Sequence, residues 1–231
     1  MTKPVWLVMD KKIWLGLLLA VCLLFGIYKI SGAYYAKFIV PPEELLASAM
    51  EKTLNTASFR FSMQVKMGGN VISDVKGERV APDSIHIKGT MQDMPVEFIH
   101  TGEQTFLRSY WSDNWTSLEG NKMAESDLFV TEFNPLGNLN FKAVPFIKEM
   151  DAEEIDGDKF RVLEFKPIVQ NELMELSYDD FVYQVWVLPN EQVIKKAHIE
   201  ATGKNGKKDK LEITLQMWDF GKQITIVPPK M

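Results

Sequence analysis

The sequence predicts an α+β protein: a transmembrane helix near the N-terminus, then a curled antiparallel sheet whose concave apolar face is covered by helices. Three observations carry this. Ile13–Ile30 is an apolar run in which Lys29 is the only charge. At ~1.5 Å per helical residue it covers ~27 Å, close to the hydrocarbon thickness of a bilayer. Ser58–Met67 alternates strictly, with Phe59, Phe61, Met63, Val65 and Met67 on one side and polar residues between them. Period two means a strand with one greasy and one wet side, as in an antiparallel sheet solvated on one face. Turn signals then recur at short, even spacing, which indicates hairpins rather than βαβ units.

The apolar run reads best as an uncleaved signal-anchor. It is longer than an ordinary signal-peptide core, although Ser31-Gly32-Ala33 would suit a cleavage site. Cys22, the single cysteine, would suit lipidation, but Val21 before it is not small and the run continues past it. Lys3, Lys11 and Lys12 precede the span, which leaves residues 1–12 as a short cytoplasmic tail. Residues 31–40 then form a linker, and residues 41–231 an extracytoplasmic domain. The expected location is the cell membrane, single-pass. With no cysteine after residue 22, that domain has neither an intrachain disulfide nor a cysteine-based zinc site.

Charge divides the chain. Residues 1–37 hold five Lys and one Asp, whereas the remainder holds 21 Lys+Arg and 30 Asp+Glu. A domain of net −9 is a poor match for nucleic acid.

Along the chain, Pro41-Pro42-Glu43-Glu44 opens a helix over about residues 42–55, with Leu45, Leu46, Ala49 and Leu54 at helical spacing. Strands follow at 58–67, 71–80, 84–91, 95–101, 104–111 and 115–118. Between Ala124 and Met150 the alternation breaks, and Pro135, Gly137 and Pro145 divide the segment into two short helical pieces. Strands resume at 150–155 and 159–166 across an Asp156-Gly157 turn. Residues 167–180 hold a helical turn. Strands at 181–188, 192–202 and 210–220 complete the sheet, the last two joined by a loop containing Asn205-Gly206, a strong hairpin signal. A short strand at 224–227 precedes Pro228-Pro229. Some ten strands are too many for a flat open sheet, hence the expected curl.

Catalytic motifs are absent: there is no G-x-S-x-G, H-E-x-x-H, Walker loop or G-x-G-x-x-G. Asp219-Phe220-Gly221 is a strand end. His86 and His198 share their strand faces with polar residues and His100 with Val96 and Phe98, which opposes a three-histidine metal centre. The carboxylates of Asp151, Glu153, Glu154, Asp179 and Asp180 lie at strand ends and turns. The sequence therefore indicates a binding protein and not an enzyme, with no cofactor and no metal. What stands out is 14 Phe and 12 Met, and methionine suits irregular or changing apolar contacts. They serve either an ordinary packed core or a curled sheet whose loose helical lid leaves an apolar cavity.

The order of elements resembles the LolA-like superfamily, which includes periplasmic lipoprotein carriers and LppX/LprG-type lipoproteins. The resemblance lies in PEELLASAMEKTLNTASFRFSMQV, in the x-P-D turn of GERVAPDSIHIKGTM and in VEFIHTGEQTFLRSYWSDNWTSLEG. It ends with VWVLPNEQVIKKAHIEATGKNGKKDKLEITLQMWDFGKQITIVPP, and in all covers about residues 40–229. It implies an unclosed half-barrel around a helical plug, with a cavity that takes up acyl chains. Its concave wall would be Phe59, Phe61, Met63, Val65, Ile85, Ile87, Val96, Phe98, Ile213, Leu215 and Met217. Leu128, Phe129, Phe133, Leu136, Leu139 and Phe141 would form the lid. The function implied is non-covalent holding of a lipid or lipidated ligand beside the membrane, in lipid or lipoprotein handling at the bacterial cell envelope. A second reading uses the same half-barrel to dock an envelope protein partner, as an interaction or stress-sensor module.

Overall fold

The computed structural model describes residues 18, 20–26, 40–102, 104–109, 114–118, 134–170, 172–204 and 210–230. The chain divides into two compact units, residues 1–40 and 41–231. In the first, residues 20–26 are helical, with Val21, Leu23, Leu24 and Phe25 exposed. Among the described residues no helix is long and apolar enough to cross a membrane. Most of the expected span over 13–30 lies outside them.

The second unit begins with helix α1 (Pro42–Leu54). Pro42 stands in its first turn beside Glu43 and Glu44, where a missing N–H costs nothing and negative charge is favoured. Asn55 ends it, its N–H bonding to Glu51 O. The helix buries Leu45, Leu46, Ala49 and Thr53. It packs against strands later in the chain, and the Thr53 hydroxyl accepts the Ile194 N–H at 3.0 Å.

Among the described residues fourteen strands follow: β1 (Ser58–Met67), β2 (Asn70–Val80), β3 (Ser84–Met91), β4 (Met94–Thr101), β5 (Gln104–Ser109), β6 (Thr116–Leu118) and β7 (Phe141–Ala143). Then come β8 (Ile147–Glu149), β9 (Glu153–Ile155), β10 (Asp158–Phe165), β11 (Ile168–Val169), β12 (Tyr178–Leu188), β13 (Val193–Gly203) and β14 (Lys210–Trp218), with helix α2 (Glu172–Ser177) before β12. Twelve strands form one sheet in the order β6-β5-β4-β3-β2-β1-β14-β13-β12-β10-β8, with β9 also on β10. β7 and β11 form a separate pair. The hairpins expected from the turn signals are present, including β9–β10, where Asp156 and Gly157 both take positive φ. The Asn205-Gly206 turn lies outside the described residues, although β13 and β14 pair antiparallel on either side of it.

Three expectations are corrected. The two helical pieces expected over 124–150 are, from residue 134 on, a 3-10 turn (Gly137–Leu139) followed by β7 and β8; the prolines rule out one long helix, and the partners met by the turn (Met63) and by β7 (Ile168 and Val169) decide what replaces it. No strand forms over 224–227. The sequence predicts a curled sheet with one oily face, and the structure has an open sheet with apolar burial on both. Phe160, Val162, Trp186 and Leu188 form a second cluster, with Met150 and Ile155 against it. Trp186 Nε1 donates to Glu153 at 2.8 Å there. The cross-strand pair Ile99 and Phe106 is likewise buried opposite Phe98. With burial available on two sides, strand number alone does not force closure.

Candidate functional site

Register decides which side chains meet, because directly paired residues of neighbouring strands share a face. Four rows cross the sheet on the face of Phe59, Phe61, Met63 and Val65. The first runs Phe59, Arg79, Ile85, His100, Thr105, Leu118. The second runs Met217, Phe61, Gly77, Ile87, Phe98, Leu107. The third joins Leu163, Val185, Ala197, Leu215, Met63, Val75, Gly89 and Val96. The fourth joins Phe165, Tyr183, Ile199, Ile213, Val65, Ser73 and Met91.

All eleven expected wall residues lie on this one face. Phe59, Phe61, Met63, Ile87, Phe98 and Leu215 have no exposed surface, and Val65, Ile85, Ile213 and Met217 are buried. Val96 is half-buried. Two glycines shape the face. A Cβ on Gly77 would stand 2.6 Å from the Phe61 ring and from His86 O, and one on Gly89 2.1 Å from Asp74 O. The Phe61 ring thus occupies the space above Gly77.

Of the expected lid, Leu128, Phe129 and Phe133 lie outside the described residues. Leu136 and Leu139 are buried in the 3-10 turn, which the Asn134 side chain opens by accepting the Leu136 N–H. Between them Asn138 is 1% exposed, and its Nδ2 donates to Met63 Sδ at 3.5 Å. The Asn138 Oδ1 is buried with no hydrogen-bond partner. The turn therefore meets the wall at Met63 through one weak hydrogen bond, sulfur being a poor acceptor. Phe141 packs edge-on against Phe165 (5.4 Å between centroids) and Tyr183 (5.0 Å), at the other end of the face. Burial pushes the Tyr183 phenol well above its usual pKa.

The first row carries polar groups that hydropathy alone does not single out. His100 is 3% exposed and shares a hydrogen bond with Thr105 at 2.9 Å. Burial holds its imidazole below the ordinary histidine value, with Asp83 acting in the opposite sense. Arg79 lies beside Phe59, its guanidinium 5.9 Å from the ring centroid. Its Nη2 donates to Pro82 O at 3.2 Å, and its Nη1 is buried without a partner. Burial lowers the Arg79 pKa, and Asp83 opposes that. Strand parity was the signal: Val75, Gly77 and Arg79 alternate onto the oily side. The same parity places Val185, Leu163 and Phe165 on the wall, beyond the residues expected from sequence.

A separate cavity of about 470 Å³ lies by α2, lined by Lys166, Ile168, Glu175, Asp179, Phe181 and Lys204 among others. There Glu175 pairs with Lys142 (3.0 Å) and Lys204 with Asp179 (3.2 Å). His86 and His198 engage Glu97 and Glu200, on the wet face where sequence placed them.

No protein-family model and no curated protein sequence matches the chain. Solved structures do. The Mycobacterium tuberculosis lipoprotein LppX is 16% identical, with a TM-score of 0.57 over 81% of this chain and 100% of LppX. LprF from Mycobacterium bovis is 12% identical, with a TM-score of 0.52 over 82% of this chain and 98% of LprF. The chain shares its fold with LppX and LprF.

Proposed function

We propose that this chain is a membrane-anchored envelope protein that holds the acyl chain of a lipid or lipidated ligand between the apolar sheet face and its helical cover. The observation that carries the reading is the four-row apolar face under a turn whose one side-chain hydrogen bond to the wall is Asn138 to Met63. Such a cover can lift without breaking strong polar contacts. Each methylene of a guest contributes ~0.8 kcal/mol on burial, so ten supply roughly 8 kcal/mol before ordering costs. The wall is covered in this structure, and uptake therefore requires the Leu136–Leu139 turn to move. The fold shared with LppX and LprF supports the envelope setting.

The anchor in this reading is Ile13–Ile30, with residues 1–12 cytoplasmic and residues 41–231 outside. The described part of that run is helical, and its apolar side chains face outward, as lipid-facing residues do. The role is binding and not catalysis. Residues 41–231 form a compact unit and serve for the test. Native mass spectrometry of that unit, purified from membranes, is expected to show bound lipid, and a fluorescent fatty acid should be displaced by it. A folded domain that carries no lipid and ignores acyl probes would sink the reading.

A further inference from the structure

Four arginines occur in the chain, and three are matched by carboxylates. Arg60 pairs with Glu78 and Asp219 (2.7 Å each), Arg108 with Glu97, and Arg161 with Glu149 (2.6 Å). Arg79 is the exception: among the described residues no carboxylate lies within ion-pair distance of it. Its guanidinium bonds to one backbone carbonyl and leans on Phe59, leaving Nη1 buried and unpartnered. A buried donor without an acceptor is costly, and a positively charged one more so.

Its position makes that cost informative. Arg79 stands at the end of the oily face, in the row that begins with Phe59. From Phe59 to Val65, β1 rises about 20 Å along the wall. Phe59 also stacks on Phe220 at 5.8 Å, and Lys195, 4.7 Å from the centre of the Phe220 ring, is already matched by Glu191 at 2.7 Å. Arg79 thus keeps one uncommitted guanidinium donor, Nη1, at one end of an apolar track. In an acidic domain this is a local exception, suited to one anionic group and not to a charged surface.

We propose that Arg79 is the head-group site of the acyl-binding face, binding the carboxylate or phosphate oxygens of an anionic acyl lipid whose chain lies along the Phe59–Val65 wall. This rests on the acyl-binding reading above and adds the polarity and the orientation of the guest. Asp83, exposed on the following turn, is a weak competitor because water solvates it.

The test uses the full chain in nanodiscs of saturated phosphatidylcholine, with displacement of a neutral fluorescent alkyl probe by three competitors. Oleate and oleoyl lysophosphatidic acid carry the two anionic heads, and oleyl alcohol carries none. The wild-type protein is expected to prefer the anionic competitors by roughly 10- to 100-fold, the range of one charge-assisted hydrogen bond. Arg79→Met should abolish that preference while leaving oleyl alcohol affinity within about twofold, and Arg79→Lys should keep part of it. The relative strength of oleate and lysophosphatidic acid identifies the head group. Equal binding of all three by the wild-type protein overturns this inference and leaves acyl binding standing. Displacement by none of them overturns both. Arg79→Met must retain the wild-type circular dichroism spectrum, and parallel loss of charged and neutral competitors in that folded variant would also refute the head-group role.

Discussion

Asn138 sits where the cover meets the wall, and replacing it with leucine tests both the stability of that contact and its part in uptake. The residue is 1% exposed, between two buried leucines, with Oδ1 unpartnered and Nδ2 on Met63 Sδ at 3.5 Å. A buried acceptor left unsatisfied costs about 1–3 kcal/mol, while a hydrogen bond to a thioether returns less than the ~1 kcal/mol of an ordinary one. Leucine has a similar branched shape and removes the polar atoms. Asn138→Leu should therefore stabilise the domain by about 1–2 kcal/mol. For a unit of this size each kcal/mol raises Tm by about 2–4 °C. The assay is urea unfolding followed by circular dichroism, with the change expected in the midpoint and not in the slope. If the turn must lift for a guest to enter, the same variant should slow association of an acyl probe, because the closed state is favoured. A loss of 1 kcal/mol or more on Asn138→Leu would refute the reasoning, since it would mean that Oδ1 is satisfied in solution.

Two further outcomes follow from particular residues. Gly77→Ala should cost about 1–3 kcal/mol by overpacking, because the new Cβ meets both the Phe61 ring and the His86 carbonyl at 2.6 Å. Adding Phe61→Leu should relieve the ring contact and not the carbonyl one, giving a coupling of about 1 kcal/mol in a double-mutant cycle; a neutral Gly77→Ala would show that the strands part easily there. His100 should make stability pH-dependent. Burial holds its folded-state pKa below the unfolded value of about 6.5, so the unfolded chain takes up the proton first as pH falls. Its contribution is complete above that value and is lost as pH drops from about 6.5 toward the folded-state pKa. Unfolding free energies measured between pH 7.5 and 5 should show this fall, and His100→Gln should flatten it; an identical slope in both proteins would refute the assignment.

Much of the sheet was legible because alternation is a local property. SFRFSMQVKM, SIHIKGTM and LEITLQMW each display their buried side without reference to other strands, and the structure puts those sides together. The helix over 42–54 was legible from Pro42, the paired glutamates and the leucine spacing. The 134–149 region was not, since its prolines forbid a long helix without saying what replaces it. Its 3-10 turn and short strands depend on the partners they meet, Met63 for the turn and Ile168 and Val169 for β7. Trp186 and Phe160 stand on the face opposite the wall, and the chain returns Met150 and Ile155 to cover them.

Sequence alone determined the periodicity of the alternating segments and which of their two sides is oily. Only the tertiary structure decided that Arg79 stands unmatched beside Phe59, that Asn138 is pressed on Met63, and that the sheet stays open. The physical reason is range. Strand alternation is set by bonded geometry within a few residues, whereas a charge finds or misses its counter-ion only through register between strands distant in the chain.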